Sequence, residues 1–323
     1  MLPAAARTRA SSGQRSQGQT EEMTAPLPGP STPPPATAAA LTTAETIANA
    51  AARRPGGVAE ALLDELLELA ITVASAAATL VQDGRPAIVE VADTKSSGTD
   101  IVTEMDRASE RLLVDRILAA RPEDGILGEE GSERVSRSGV RWIIDPIDGT
   151  VNYLYGLPGW AVSVGVEVDG VPTVGVVAVP SQGELYFAAR GRGAFLRAGA
   201  GLRRLGVNDP VALDRALIGT GFGYRVERRI QQAKVVREVI PLVRDIRRAG
   251  ACATDLCAVA AGRLDGYFEL GPQVWDHAAG RVIAQEAGAS FQLVSLPGES
   301  DALIIAAGPA LFQPLTELVV PLH

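Results

Sequence analysis

The stretch Trp142-Ile143-Ile144-Asp145-Pro146-Ile147-Asp148-Gly149-Thr150 sets an apolar run against an acidic turn. Trp142 to Ile144 read as a short strand whose end holds Asp145 rigidly. Pro146 stiffens the turn and bars a continuing helix, so Asp148 can swing back beside Asp145 and bring two hard oxygen ligands together. Gly149 and Thr150 then open a helical turn, whose first backbone N–H groups lack intrahelical acceptors and suit a phosphate. Taken alone, Asp-Pro-x-Asp-Gly is equally an ordinary turn, because each of these residue types favours turns on its own account.

Two further acidic segments bear on that choice. Leu127-Gly128-Glu129-Glu130-Gly131 follows another short apolar run, and Val274-Trp275-Asp276-His277-Ala278-Ala279-Gly280 lies where a helix begins. Either is also readable as an exposed loop or a helix cap, Asp276 as a capping carboxylate in particular.

Around these segments the apolar periodicity predicts a long first helix over Val58 to Gln82, a short β-branched strand over Ala87 to Val91 and an amphipathic helix over Asp106 to Ala120. Strands are expected at Trp142 to Ile144, Ala161 to Val168, Thr173 to Val179, Glu184 to Ala189 and Ala194 to Leu196. They form a mostly antiparallel sheet with Asp169-Gly170 as a hairpin turn. Beyond residue 207 a strand at Ala216 to Thr220 and helices at Ile230 to Val243, Thr254 to Ala261 and Trp275 to Ala287 give an α/β pattern. The expected organisation is a disordered tail over 1–56, an α+β lobe over 57–206 with the metal and phosphate site, and an α/β lobe over 207–323 that completes the site. The tail holds seven prolines by position 35 and no aromatic residue, too little apolar surface to offset ordering entropy. Met23 is a candidate start, since nothing foldable precedes it.

The 323 residues carry 46% hydrophobic and 21% charged side chains, an ordinary globular balance. Thirty Lys and Arg against 38 Asp and Glu leave a net charge of −8, which argues against general nucleic-acid binding and suits a cation site. Two cysteines cannot build a disulfide framework, and two histidines cannot build a histidine-rich zinc site. The uncharged apolar run Leu69 to Val81 is 13 residues, too short for a bilayer, and no secretory signal pattern precedes Lys95. A cytoplasmic protein with no membrane association is expected.

With Lys95-Ser96-Ser97-Gly98-Thr99-Asp100-Ile101-Val102-Thr103 and Asp106, the Gly128-Glu129-Glu130 box, the Asp145-to-Thr150 box and Trp275-Asp276, the chain resembles the inositol monophosphatase family of Mg²⁺-dependent, lithium-sensitive phosphatases. Gly250 and Glu269 fall where that family keeps its substrate pocket, and Gly219 to Tyr224 with Glu227-Arg228-Arg229 looks most like bacterial members. The resemblance implies a layered α/β/α/β/α sandwich, a homodimer, and two to three Mg²⁺ per site. It places Glu129, Asp145 and the Ile147 carbonyl on the first ion, Asp145, Asp148 and Asp276 on the second, and Glu129 beside a third. Glu129, Thr150 and Asp106 become the water-activating group. Asp148, Gly149, Thr150, Glu269, Asp276 and Lys95 become substrate contacts, Lys95 being also readable as an exposed loop lysine.

The implied reaction is hydrolysis of inositol 1-phosphate, or a close phosphorylated polyol, by metal-activated water. Histidinol phosphate and fructose 1,6-bisphosphate are the alternatives within the family. A role as an RNA or transcription-complex partner, with catalysis secondary, is the alternative of another class. Gly219-Thr220-Gly221-Phe222-Gly223 fails the dinucleotide spacing because Tyr224 stands at the sixth position. Cys252 and Cys257 read as buried small hydrophobes, and Cys252, two residues past Gly250, alters the substrate pocket. His277 reads as a helix-surface residue. The stretch Phe291 to Leu303, between the last helix and the final strand, departs from the family pattern.

Overall fold

The computed structural model describes residues 58–86, 89–95 and 101–323. The tail and Met23 lie outside them. The first helix, α1 (Glu60–Asp83), forms as its periodicity predicts and buries Leu66, Ala70, Val73, Ala74 and Ala77 along one face. No strand forms over the described part of Ala87 to Val91. Val91 is exposed there, and pairing starts only at β1 (Asp93–Thr94), which meets β2 (Ile101–Val102). Next come α2 (Glu104–Ala120), β3 (Gly125–Gly128), β4 (Glu133–Arg134), β5 (Val140–Asp148) and α3 (Thr150–Tyr155). The run of strands β6 (Ala161–Val168), β7 (Val171–Val179), β8 (Glu184–Ala189), β9 (Gly193–Ala198) and β10 (Gly201–Arg204) completes an eight-stranded sheet in the order β10-β9-β8-β7-β6-β5-β3-β4. Every pair in it is antiparallel except β3 with β5. Asp169 and Gly170 turn the β6–β7 hairpin with φ of 50° and 75°, the left-handed pair that matches strand twist.

The later elements are β11 (Leu217–Thr220), α4 (Val226–Val239), β12 (Asp245–Arg247), α5 (Cys252–Ala260), β13 (Gly266–Leu270), α6 (Val274–Glu286), β14 (Ser290–Ser295), β15 (Ala302–Ala307) and α7 (Pro309–Val319). Their strands form a second sheet, ordered β12-β11-β13-β15-β14, with β11 parallel to both its neighbours. Two expectations need correction here. The helix predicted over Ile230 to Val243 starts four residues earlier and gives way to a 3₁₀ turn at Ile240–Leu242, because Pro241 cannot continue the α-helical ladder. The stretch Phe291 to Leu303 contains most of β14, and a further helix, α7, follows the final strand, β15.

The layers follow from which faces are apolar. One face of the eight-stranded sheet packs on α1 and α2, through Trp142, Ile144, Val164 and Phe187 among others. Its other face packs on α5 and α6, through Val177, Tyr186, Ala253, Ala279 and Ile283. The opposite side of that helix pair covers the second sheet at Tyr267, Ile304 and Ala306. Finally α4 and α7 close the outer face around Phe268, Leu303, Ile305 and Leu311. The result is an α/β/α/β/α sandwich. The central helix α6 approaches the first sheet closely where β6 and β7 carry Gly165 and Gly175, whose missing side chains make room for Ala278 and Ala279.

Candidate active site

Asp145 and Asp148 share a strand but stand three apart, so regular alternation would send them to opposite faces. The pairing shows how they are reconciled. Asp145 pairs with Ser163 and Asp148 with Ala161, three residues against two, which is a bulge at Pro146-Ile147. One extra residue restores a common face, and both carboxylates point into the same cleft. Gly149 follows with φ of 87°, a left-handed conformation that lets the chain turn at once into α3. A Cβ there would also press on Ala251 and on the Gly159 carbonyl.

Each of the three aspartates has one oxygen anchored by a backbone amide of its own. Asp145 Oδ1 accepts from Ile147 N at 3.0 Å, and Asp148 Oδ2 from Ala253 N at 2.6 Å at the start of α5. Asp276 Oδ2 accepts from Gln273 N at 2.6 Å. Asp276 is therefore the third residue of α6 in a capping box, not its first cap. Glu129 Oε1 accepts from Lys95 Nζ at 2.8 Å, and the same ammonium bonds Glu130 Oε1 at 2.6 Å. Lys95 thus sits on the acidic wall and lines the cleft.

Burial, then the negative charges of Glu129, Asp148 and Asp276, push the Asp145 carboxyl well above the usual carboxylate range. Burial likewise raises Asp148 and Asp276, with Glu129 again a repelling neighbour of both. Glu129 and Asp145 lie within hydrogen-bonding reach of each other. Two carboxyls at that range need a shared proton or a cation between them. No three acidic, histidine or cysteine side chains among the described residues are already closed into coordination geometry. What the cleft offers is an all-oxygen donor set, anchored from behind and mutually repelling, and that fits a hard divalent ion such as Mg²⁺.

Beside the carboxylates, Thr150 Oγ1 donates to Ile147 O at 3.0 Å and can instead reach Asp106 Oδ1 at 3.3 Å. Asp106 is buried in the first turn of α2, where its other oxygen accepts the Thr103 backbone N–H at 2.8 Å. Burial is the main reason its pKa is raised to about 7, opposed by the Thr103 hydrogen bonds. Glu269, on β13, and Gly250, with φ of 101°, line the opposite wall. The whole cleft has a volume of about 460 Å³.

Some contributors carry no motif. Glu110 is buried one turn after Asp106 and accepts the amides of Glu130 and Ser132 at 2.8 and 2.9 Å, which fixes the loop that presents Glu129. Its four-residue spacing from Asp106 was the available signal. Arg225 and Arg248 also line the cleft, without any pattern that marks them. Cys252 and Cys257 are buried and unpaired as expected, Cys252 against the cleft. His277 corrects an expectation. It is 7% exposed rather than on a helix surface, its Nδ1 has no hydrogen-bond partner, and burial lowers its pKa to about 4. The cause is the position of α6 between two sheets, which leaves little of that helix facing water.

Comparison with known proteins converges on one group. The model of the inositol monophosphatase family matches residues 62–316. Inositol-1-monophosphatase SuhB of Mycobacterium tuberculosis is 49% identical over 231 residues, covering 68% of this chain and 78% of that protein. The Nus factor SuhB of Pasteurella multocida is 38% identical, covering 70% and 84%. Among solved structures, Mycobacterium tuberculosis SuhB aligns with a TM-score of 0.70 and 43% identity over 80% of this chain and 97% of that one.

Proposed function

The chain belongs to the inositol monophosphatase family, and on that premise we propose that it is a Mg²⁺-dependent phosphomonoesterase releasing phosphate from inositol 1-phosphate or a close polyol phosphate. The observation that supports this most is the gathering of Glu129, Asp145, Asp148 and Asp276 in one cleft, where Glu129 repels each of the three aspartates. In this reading Glu129, Asp145 and the Ile147 carbonyl hold one ion, Asp145, Asp148 and Asp276 hold a second, and Glu129 borders a third.

Bound there, the ions supply Lewis acidity that makes water nucleophilic near neutral pH and offsets charge on the phosphoryl and leaving oxygens. The protein's own groups do the rest. Thr150 Oγ1 orients the attacking water and passes its proton toward Asp106 Oδ1, 3.3 Å away. In this reading the amides of Gly149 and Thr150, at the opening of α3, bind phosphoryl oxygens. Glu269 and Asp276 accept hydrogen bonds from polyol hydroxyls, and Lys95 borders the phosphate.

A second reading, a role in a transcription complex, draws on the relatives named Nus factor. The two are tested together. Phosphate release is measured from inositol 1-phosphate, histidinol phosphate and fructose 1,6-bisphosphate, each with Mg²⁺, with EDTA, and with Mg²⁺ plus Li⁺. One preferred ester, lost with EDTA and suppressed by Li⁺, is the expected result. No release from any ester would overturn the phosphatase reading and favour the second.

A further inference from the structure

Glu269 is held from two sides. Its Oε2 accepts a short hydrogen bond from the Tyr267 hydroxyl, two residues earlier on β13. Behind the carboxylate lies Gly221, at the end of β11. A Cβ built there would overlap both Glu269 oxygens, so the carboxylate rests directly on the backbone. Below, Cys252 of α5 belongs to the same buried cluster as the Tyr267 ring. Tyr267 itself is fully buried among Leu256, Ala284 and Ile304, so its ring has no freedom to leave.

A residue two positions along a strand normally shares only its face with its neighbour, and a carboxylate at a cleft wall normally samples several rotamers. Here the tyrosine converts a flexible acceptor into a fixed one. It occupies Oε2 and leaves Oε1 as the oxygen that can meet a ligand. Arg248, on the same wall, adds a favourable charge for both Glu269 and the buried Asp255 behind it.

We infer that Tyr267, locked in its buried cluster, is a positioning residue that fixes Glu269 Oε1 as the acceptor for a leaving-group hydroxyl, and so makes the cleft selective for hydroxyl-rich phosphate esters. This rests on the phosphatase reading above. A fixed acceptor discriminates because an ester without a matching hydroxyl leaves it unpaired, whereas a mobile one can turn away to solvent.

The test compares kcat/KM for inositol 1-phosphate with that for p-nitrophenyl phosphate, which has no hydroxyl to offer, in the parent, Tyr267→Phe, Glu269→Gln and the double variant. Tyr267→Phe is expected to lower the inositol-to-nitrophenyl ratio about tenfold, the scale of one hydrogen bond. The double variant should be no less selective than Glu269→Gln alone, because the tyrosine acts only through that carboxylate. A ratio unchanged in Tyr267→Phe, or additive losses in the double variant, would overturn the inference while leaving the phosphatase reading intact. A parent that cleaves neither ester would overturn both.

Discussion

Replacing Gly175 by alanine tests how the central helix is seated. Gly175 lies mid-strand in β7, paired with Gly165 of β6, directly under α6. A Cβ at 175 would overlap the Ala279 carbonyl oxygen and lie 3.0 and 3.1 Å from its carbonyl carbon and Cα. Those are backbone atoms of a helix packed between two sheets, so no side chain can swing aside and α6 itself must move. Overpacking of this kind costs on the order of 2 kcal/mol, or roughly 4–8 °C in Tm for a fold of this size. Because Asp276 stands in the first turn of α6, the same displacement should raise the Mg²⁺ concentration needed for half-maximal phosphate release. Gly206→Ala is the control, since no atom lies within 4 Å of the added Cβ and Gly206 is not in the left-handed region. Thermal unfolding followed by circular dichroism, with a Mg²⁺ titration of activity, decides the matter. If Gly175→Ala melts with the control and keeps its Mg²⁺ response, close helix–sheet contact is not what seats the site.

Asp145→Asn should abolish phosphate release yet raise Tm in EDTA, because it removes a buried charge that its neighbours repel; a fall in both would mean that the carboxylate is structural. Thr150→Ala should lower kcat by about 10²-fold with little change in Tm, the scale of a lost proton-transfer group, and near-normal turnover would refute its role. For His277 the sign runs one way: its pKa falls from 6.5 unfolded to about 4 folded, so its contribution is present above pH 6.5 and is lost as pH falls through that range toward 4. The gap is worth about 3 kcal/mol, and His277→Leu should show a correspondingly smaller loss of Tm between pH 7 and pH 4.5; parallel profiles for parent and variant would refute it.

How far the sequence could be read depended on whether the deciding contact was local. The β6 and β8 limits, the Asp169-Gly170 turn and the apolar face of α1 all follow from neighbours within a few residues, and they form as their patterns predict. The bulge at Pro146-Ile147 is different. It needs the β6 register to be visible, and only that register explains why two aspartates three apart share a face. His277 was misplaced for a related reason, since a polar residue in a helix looks exposed until a second sheet covers it. The run Ala278-Ala279-Gly280 was the overlooked sign, small residues being what a helix squeezed between two sheets requires. Glu110 and Tyr267 act through other residues, so no motif marks them.

The cleft is assembled from unequal materials. Its acidic floor is tied down by backbone amides at Asp145, Asp148 and Asp276, so a substitution there that removes the accepting oxygen disturbs the strand bulge or a helix start together with the charge. Its far rim, at Arg225 and Ser300, lies on loops beyond the strand ends. Rim residues can be exchanged without unsettling the floor. A lineage carrying this architecture can therefore change which molecule it admits in single steps while the hydrolytic apparatus is inherited whole, and selectivity should drift faster between relatives than reactivity.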